Sequence, residues 1–242
     1  MAKKVGLQKR PMNVLNPPTT PSDPVSPVLP SPPGSDTVSP PSPGNIFSLP
    51  APTDTFQETG IIKYVGQAIP GTKSITIIGY GNLGNELGRA TSQVISSNKN
   101  ETALGLVISQ GNVILNGRIV IKYTSPNAKE VQITCQINGK TVEIRGYPES
   151  SANIQKSGEL GLDSAELSVI NQWSRLSDTL IPLARETMTT FVKSGPELGF
   201  WGCLALGAAI ALLIAAFVAG LSDSITFNKI VIMIGVFLIE CV

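Results

Sequence analysis

The chain has 242 residues, a formal net charge of +1 and no histidine. The missing histidine removes the commonest general base, the serine and cysteine triads and the usual zinc ligands. The near-zero charge gives no global field that would select a polyanionic partner.

Residues 1–54 read as a disordered Pro-rich arm. Fourteen of the 19 prolines lie between Pro11 and Pro52, where apolar content is too low for a core. Pro18, Pro21, Pro24, Pro27, Pro30 and Pro33 recur every third residue, the turn of a polyproline II helix, and so share one edge. That edge is either a stiff spacer or a docking strip for an aromatic-lined groove of the SH3 or WW kind, although it lacks flanking Arg or Lys. Thr20, Ser26, Ser31, Ser39 and Ser42 each precede a proline and are candidates for proline-directed phosphorylation. The first ten residues carry Lys3, Lys4, Lys9 and Arg10 and no acid, and no apolar run follows them. A signal peptide is therefore not expected.

Residues 55–148 change character and read as a β-rich cytosolic domain. GIIKYVGQA and KSITIIGYG are two strands; NELGRATSQVISS fits a short helix, with Leu87, Ala90, Val94 and Ile95 on one side. TALGLVIS, NVILNGRIVIKY and KEVQITCQINGKTVEIRG follow. The pairs Asn116-Gly117 and Asn138-Gly139 accept the positive φ of a type I′ turn, so each predicts a hairpin. In the second, Val131, Ile133, Cys135 and Ile137 alternate with Gln132, Thr134 and Gln136, the pattern of an antiparallel sheet with one wet face. Nine Lys/Arg against five Asp/Glu lie between residues 55 and 148.

Residues 149–162 read as a linker and 163–195 as an amphipathic helical segment. Asp163 as N-cap and Glu166 three residues on form a capping-box pair. Val169, Trp173, Leu176, Leu180 and Leu183, continued by Thr187 and Phe191, form a seam at spacings of four and three. Pro182 removes a helical hydrogen bond and predicts a kink or break near Asp178. Few charges flank the seam, so a helix lying on the sheet or on lipid fits it as well as a coiled coil does.

Residues 199–221, GFWGCLALGAAIALLIAAFVAGL, hold 23 residues without a charge. At about 1.5 Å per residue this is about 34 Å, enough to cross a hydrocarbon core of about 30 Å. The segment therefore predicts a transmembrane helix, with Phe200 and Trp201 at its interfacial end. Cys203, Gly207, Ala211, Ala215 and Ala219 fall every four residues and leave one stripe of small side chains, suited to packing against another copy or the next segment. That next segment, 225–242, is either a second span or an interfacial tail. Arg185 and Lys193 before the first span place the N-terminal body in the cytosol and leave the sequon at Asn100 unused.

One motif suggests nucleotide chemistry. Gly79, Gly81 and Gly84 stand as G-x-G-x-x-G between a β-like and a helix-like run, and this local stretch resembles a Rossmann fingerprint over about 22 residues. The acidic residue expected about 20 positions later is missing, and hairpins rather than βα repeats follow. Tyr64, Tyr80, Tyr123 and Tyr147 near Lys63, Lys122 and Arg145 form a loose basic and aromatic mix of the kind that stacks single-stranded RNA. Cys203 and Cys241 lie in apolar segments, which argues against a disulfide framework and for reduced thiols, open to palmitate near an interface.

The expected fold is α+β: disordered arm, small mainly antiparallel β domain with one helix, amphipathic helix, C-terminal membrane helix or pair. No metal site, cofactor or catalytic residue is expected. The layout suits a non-enzymatic membrane-anchored scaffold or structural protein and is similar in plan to accessory or structural membrane proteins of viruses. Its expected partners are membrane lipid, further copies of the chain, and an SH3/WW-type, viral or host protein. A membrane-tethered single-stranded RNA-binding protein is the alternative reading, and a dinucleotide-binding enzyme a second alternative.

Overall fold

The computed structural model describes residues 46–50, 60–123, 130–147, 150–194 and 196–242. The polyproline strip and the N-terminal basic cluster lie outside the described residues. Strands β1 (Ile46–Pro50), β2 (Ile61–Ile69), β3 (Ser74–Gly81), β4 (Glu86–Ser97), β5 (Glu101–Gln110), β6 (Val113–Tyr123), β7 (Val131–Ile137), β8 (Lys140–Tyr147) and β9 (Ser150–Ser157) pair in chain order as one nine-stranded antiparallel sheet. Helices α1 (Ser164–Ser174), α2 (Ser177–Ser194), α3 (Pro196–Val218) and α4 (Ser224–Cys241) follow. The class is α+β, and all these elements belong to one compact unit, Pro41–Val242, rather than to a body and a separate anchor.

Alternation makes the sheet two-faced. Ile75 and Ile77 on β3, Leu104, Leu106 and Ile108 on β5, Ile119 and Ile121 on β6, and Ile133 and Cys135 on β7 are all buried. The intervening residues, among them Thr76, Gln93, Arg118, Gln132 and Gln136, form the outer face, where the Thr76 and Thr91 hydroxyls meet at 2.9 Å across the β3–β4 pair. Residues at i and i+2 point the same way, so each strand offers the core a continuous β-branched surface. That inner face requires a cover, and α3 supplies it.

Four local expectations change. The segment read as a helix, residues 85–97, is strand β4: Arg89, Thr91 and Gln93 face outward while Gly88, Ala90 and Ser92 face in, and the strand is paired on both edges, to β3 and β5. Its β-branched and hydroxyl residues have low helix propensity, and two ladders of backbone bonds outweigh one face of 3.6-residue spacing. Asn116-Gly117 is no turn; it lies within β6, because Leu115, Gly117, Ile119 and Ile121 keep one unbroken alternation, and the turn falls at Gly111, φ +57°. The residues assigned to the linker include β9, which pairs with β8. The arm as drawn to residue 54 contains β1, whose Phe47 ring occupies the space over Gly66; a Cβ there would lie 1.9 Å from it.

Other expectations hold. Asn138 (φ +49°) and Gly139 (φ +83°) turn β7 into β8. Asp163 caps α1 by accepting from the Glu166 N–H at 2.8 Å, while Glu166 accepts from the Asp163 N–H at 3.0 Å. The helical segment breaks at Arg175–Leu176, between α1 and α2, and Pro182 lies inside α2, where it has no N–H to donate to the Asp178 carbonyl.

Candidate functional site

The most unusual chemistry is in the last 42 residues. One helix, over Trp201–Val218, is long and apolar enough to cross a membrane, with 83% of that window buried inside the protein. Helix α3 is in contact with β3 to β7 on one side and with α1, α2 and α4 on the others. A helix that is apolar all round must be buried in protein or lipid, and here strands and neighbouring helices do the burying. Ala209, Ala211 and Ile214 are essentially inaccessible although they point in different directions.

The small-residue stripe is packed within the chain. A Cβ built on Gly207 would lie 3.6–3.8 Å from Phe237 of α4, Val94 of β4 and Leu104 of β5. Ala211 and Ala215 are buried, and Cys203 and Ala219 are half-buried against the same core. Small residues thus allow both the sheet and α4 to approach the α3 backbone.

Helix α3 ends in a Schellman motif: the Leu221 N–H donates to Ala216 C=O and the Gly220 N–H to Phe217 C=O, with Gly220 at φ +78°. The Lys156 ammonium donates to Val218 C=O at 2.7 Å and places a cation at the helix C-terminus. Asp223 then caps α4, accepting from the Thr226 N–H at 3.1 Å. On α4, Phe227, Ile230, Ile234 and Phe237 are buried at spacings of three and four and face the core. A Cβ on Gly146 of β8 would lie 2.6 Å from the Phe227 ring, so the absence of a side chain there makes room for it. Lys229 pairs with Asp178 of α2 at 2.9 Å.

The outward face of α4 is apolar too. Ile232 is 68% exposed, Val236 41% and Ile239 82%. At about 100° per residue these three fall within about 60° of one another, a single aliphatic ridge, where a surface helix ordinarily carries charge. Val242 extends it at the C-terminal end.

Cys203 and Cys241 form a disulfide, which corrects the expectation of reduced thiols. Two helices returning on each other bring the positions level, a proximity that composition does not reveal. Cys135 is the free thiol among the described residues; it lies inside the sheet, where burial pushes its pKa up to about 12. It is therefore protonated and unsuited to nucleophilic attack.

The helical seam enters the common core. Val169, Trp173, Leu176 and Leu180 are buried and Leu183 is half-buried, while the side chains of Thr187 and Phe191 lie outside the description. The Trp173 indole N–H donates to Gln110 Oε1 at 2.8 Å, and the Gln110 amide donates to Gln172 Oε1 at 2.6 Å. Tyr64 meets Trp173 edge-on at 5.4 Å; burial raises its hydroxyl pKa and contact with Gln172 opposes that rise. This polar cluster fastens α1 to the β2 and β5 strands.

The strand–turn–helix setting read around Gly79, Gly81 and Gly84 is corrected. Gly79 and Gly81 lie in β3, and Gly84, φ +75°, lies in the turn to β4. No helix begins there, so the N-terminal amides that would cradle a pyrophosphate are absent from this place. The tyrosines also separate: Tyr64 and Tyr123 have buried hydroxyls, Tyr80 lies beneath the Lys63 ammonium at 5.6 Å, and only Tyr147 is well exposed. Among the described residues no group of three His, Cys, Asp or Glu is placed to hold a metal ion. An open cleft of about 300 Å³ at the β8–β9 edge is lined by Glu143, Arg145, Gln155, Lys156 and Ser157.

The geometry defines a class: a nine-stranded antiparallel meander closed on one face by an apolar helix. Comparison with protein-family models, curated proteins and solved structures found no match.

Proposed function

We propose that the protein is a non-enzymatic, membrane-associated scaffold that docks on lipid through the aliphatic ridge of α4. The observation that carries this reading is the outward array of Ile232, Val236 and Ile239 on a helix already apolar on its inner face. The ridge has no aromatic or hydrogen-bonding group, whereas the cores of protein interfaces favour Tyr, Trp and Arg within polar rims. Lipid asks only for apolar area, with cations beside it. Lys3, Lys4, Lys9 and Arg10 supply a cationic cluster in the arm; Lys229 on α4 is already paired with Asp178. Each aliphatic side chain fully withdrawn from water contributes about 1.5–3 kcal/mol. The body would face the cytosol, copies would concentrate and self-associate on the surface, and the edge from Pro18 to Pro33 would recruit a groove of the SH3 or WW kind.

Flotation of the full chain with vesicles of phosphatidylcholine, with and without phosphatidylserine, tests the proposal. Binding to both, stronger with the anionic lipid, is expected. Ile232→Lys with Ile239→Lys reduces it by roughly tenfold or more, since charged side chains in an apolar phase cost about 2.5–3.5 kcal/mol each. Equal flotation of the double variant contradicts the proposal.

A second reading rests on Arg118 and Arg145, outward-facing on β6 and β8 and without an ion-pair partner among the described residues. They would contact phosphates of single-stranded RNA; salt-dependent binding lost in Arg118→Gln/Arg145→Gln would favour that reading.

A further inference from the structure

The disulfide joins Cys203, the eighth residue of α3, to Cys241, the last residue of α4. The same two helices are joined at their other end by the turn over Ala219–Asp223. Helix α4 is therefore tethered at both ends, and the restraints are unequal along it. Near the turn, Phe227 packs over Gly146 and beside Phe217, ring centroids 5.4 Å apart. Midway, the Lys229–Asp178 pair is exposed at both partners and contributes little. Beyond Phe237 packing thins: Ile239, Glu240 and Val242 are exposed, and only Leu238 and Cys241 are half-buried. The covalent bond is the strongest restraint on the last turn. Both sulfur-bearing residues are half-buried, so a small reductant has access to them.

We propose that the Cys203–Cys241 disulfide is a redox latch, closed to hold α4 against α3 and opened by a dithiol reductant. A thiolate of the dithiol attacks Cys241 Sγ. The bond to Cys203 breaks, and Cys203 leaves as a thiolate that takes up a proton. The second thiol of the reductant then displaces Cys241, which also ends as a thiol. Two electrons and two protons pass to the protein, and the reductant becomes a cyclic disulfide. Release leaves Ile230, Ile234 and Phe237 to hold the C-terminal half of α4, which then opens by local unfolding from its end while Phe227 stays packed at the turn. That opening uncovers the face of α3 at Gly207, which Phe237 otherwise covers. A reducing compartment thus opens the latch and an oxidising one closes it. The membrane consequence rests on the lipid reading of α4: opening adds the apolar surface of α3 to that of the ridge and turns docking into insertion.

The test uses the full chain, air-oxidised, treated with dithiothreitol, or carrying Cys241→Ser. Amide hydrogen exchange is followed by mass spectrometry over residues 230–241, with β5–β7 as internal reference, and vesicle flotation is run in parallel. Exchange in 230–241 is expected to rise by at least roughly tenfold on reduction, and equally in Cys241→Ser without reductant, while the sheet stays protected. Reduction is also expected to increase flotation. Unchanged exchange on reduction overturns the latch, and so does an oxidised protein whose mass shows both thiols free. Opening without any flotation, oxidised or reduced, leaves the latch standing and overturns the lipid reading. Flotation of the oxidised protein without opening does the reverse.

Discussion

Replacing Ile214 by alanine separates a core helix from a membrane anchor. Ile214 is fully buried in α3. The change removes three carbons, about 2.4 kcal/mol of transfer free energy at about 0.8 kcal/mol each. A cavity adds to this, because the surrounding strands are fixed by ladders on both edges and close in poorly; the total is about 3–4 kcal/mol. For a protein of this size that lowers the melting temperature by about 6–16 °C. Ile239→Ala, on the exposed ridge, is the control and changes stability by no more than about 0.5 kcal/mol. Urea unfolding in a Trp201→Phe background reads the loss through Trp173, which packs against the sheet at Tyr64 rather than at Ile214. An anchor lying in lipid, apart from the sheet, has no such link. Superimposable unfolding curves for wild type and Ile214→Ala would refute the reasoning.

Trp173→Phe keeps an aromatic ring but leaves Gln110 Oε1 without its donor, and should cost about 1–3 kcal/mol in urea unfolding followed by circular dichroism. Gly88→Ala places a Cβ 2.9 Å from the Ser109 carbonyl oxygen and 3.2 Å from Trp173, forces β4 from β5, and should destabilise by about 1–3 kcal/mol. Burial raises the Cys135 pKa from 9.0 to about 12, so the thiol favours the folded state below pH 9 and that contribution is lost as pH rises towards 12. A denaturation series across that range should show the decline, reduced in Cys135→Ala relative to wild type. Iodoacetamide at pH 8 should label Cys135 only after unfolding, and labelling of the native protein would count against its burial.

The β7–β8 hairpin was legible because two independent signals agree there: strict alternation on both sides and an Asn-Gly pair that accepts positive φ. The α1 cap was legible for the same reason, since the N-cap and N3 residues reinforce each other. Strand β4 was not, because Leu87, Ala90, Val94 and Ile95 satisfy a helical stripe while its small or polar inward positions, Gly88, Ala90 and Ser92, weaken the period of two. At Asn116-Gly117 the turn signal competed with alternation, and alternation through Leu115, Gly117, Ile119 and Ile121 won. The environment of α3 is the deepest case. Hydropathy records only that a segment avoids water, and a sheet interior satisfies that as well as lipid does. The informative signal was in the strands: an inner face rich in isoleucine on β3, β6 and β7 needs more cover than the amphipathic segment at 163–195 provides. The disulfide followed from the same geometry, since Ser222 lies midway between Cys203 and Cys241 in a chain that turns there. The ridge of α4 could be seen only once its inner face was assigned.

The central claim is that α3 is the core of the sheet. Nuclear Overhauser contacts of Gly207 in detergent-free buffer test it most directly. The account predicts cross-peaks from the Gly207 α-protons to methyl groups of Val94 and Leu104, whose nearest carbons lie 3.7 and 3.8 Å from the Gly207 Cβ position. A protein that stays in solution only with detergent, and whose Gly207 shows contacts to acyl chains and none to Val94 or Leu104, would contradict it.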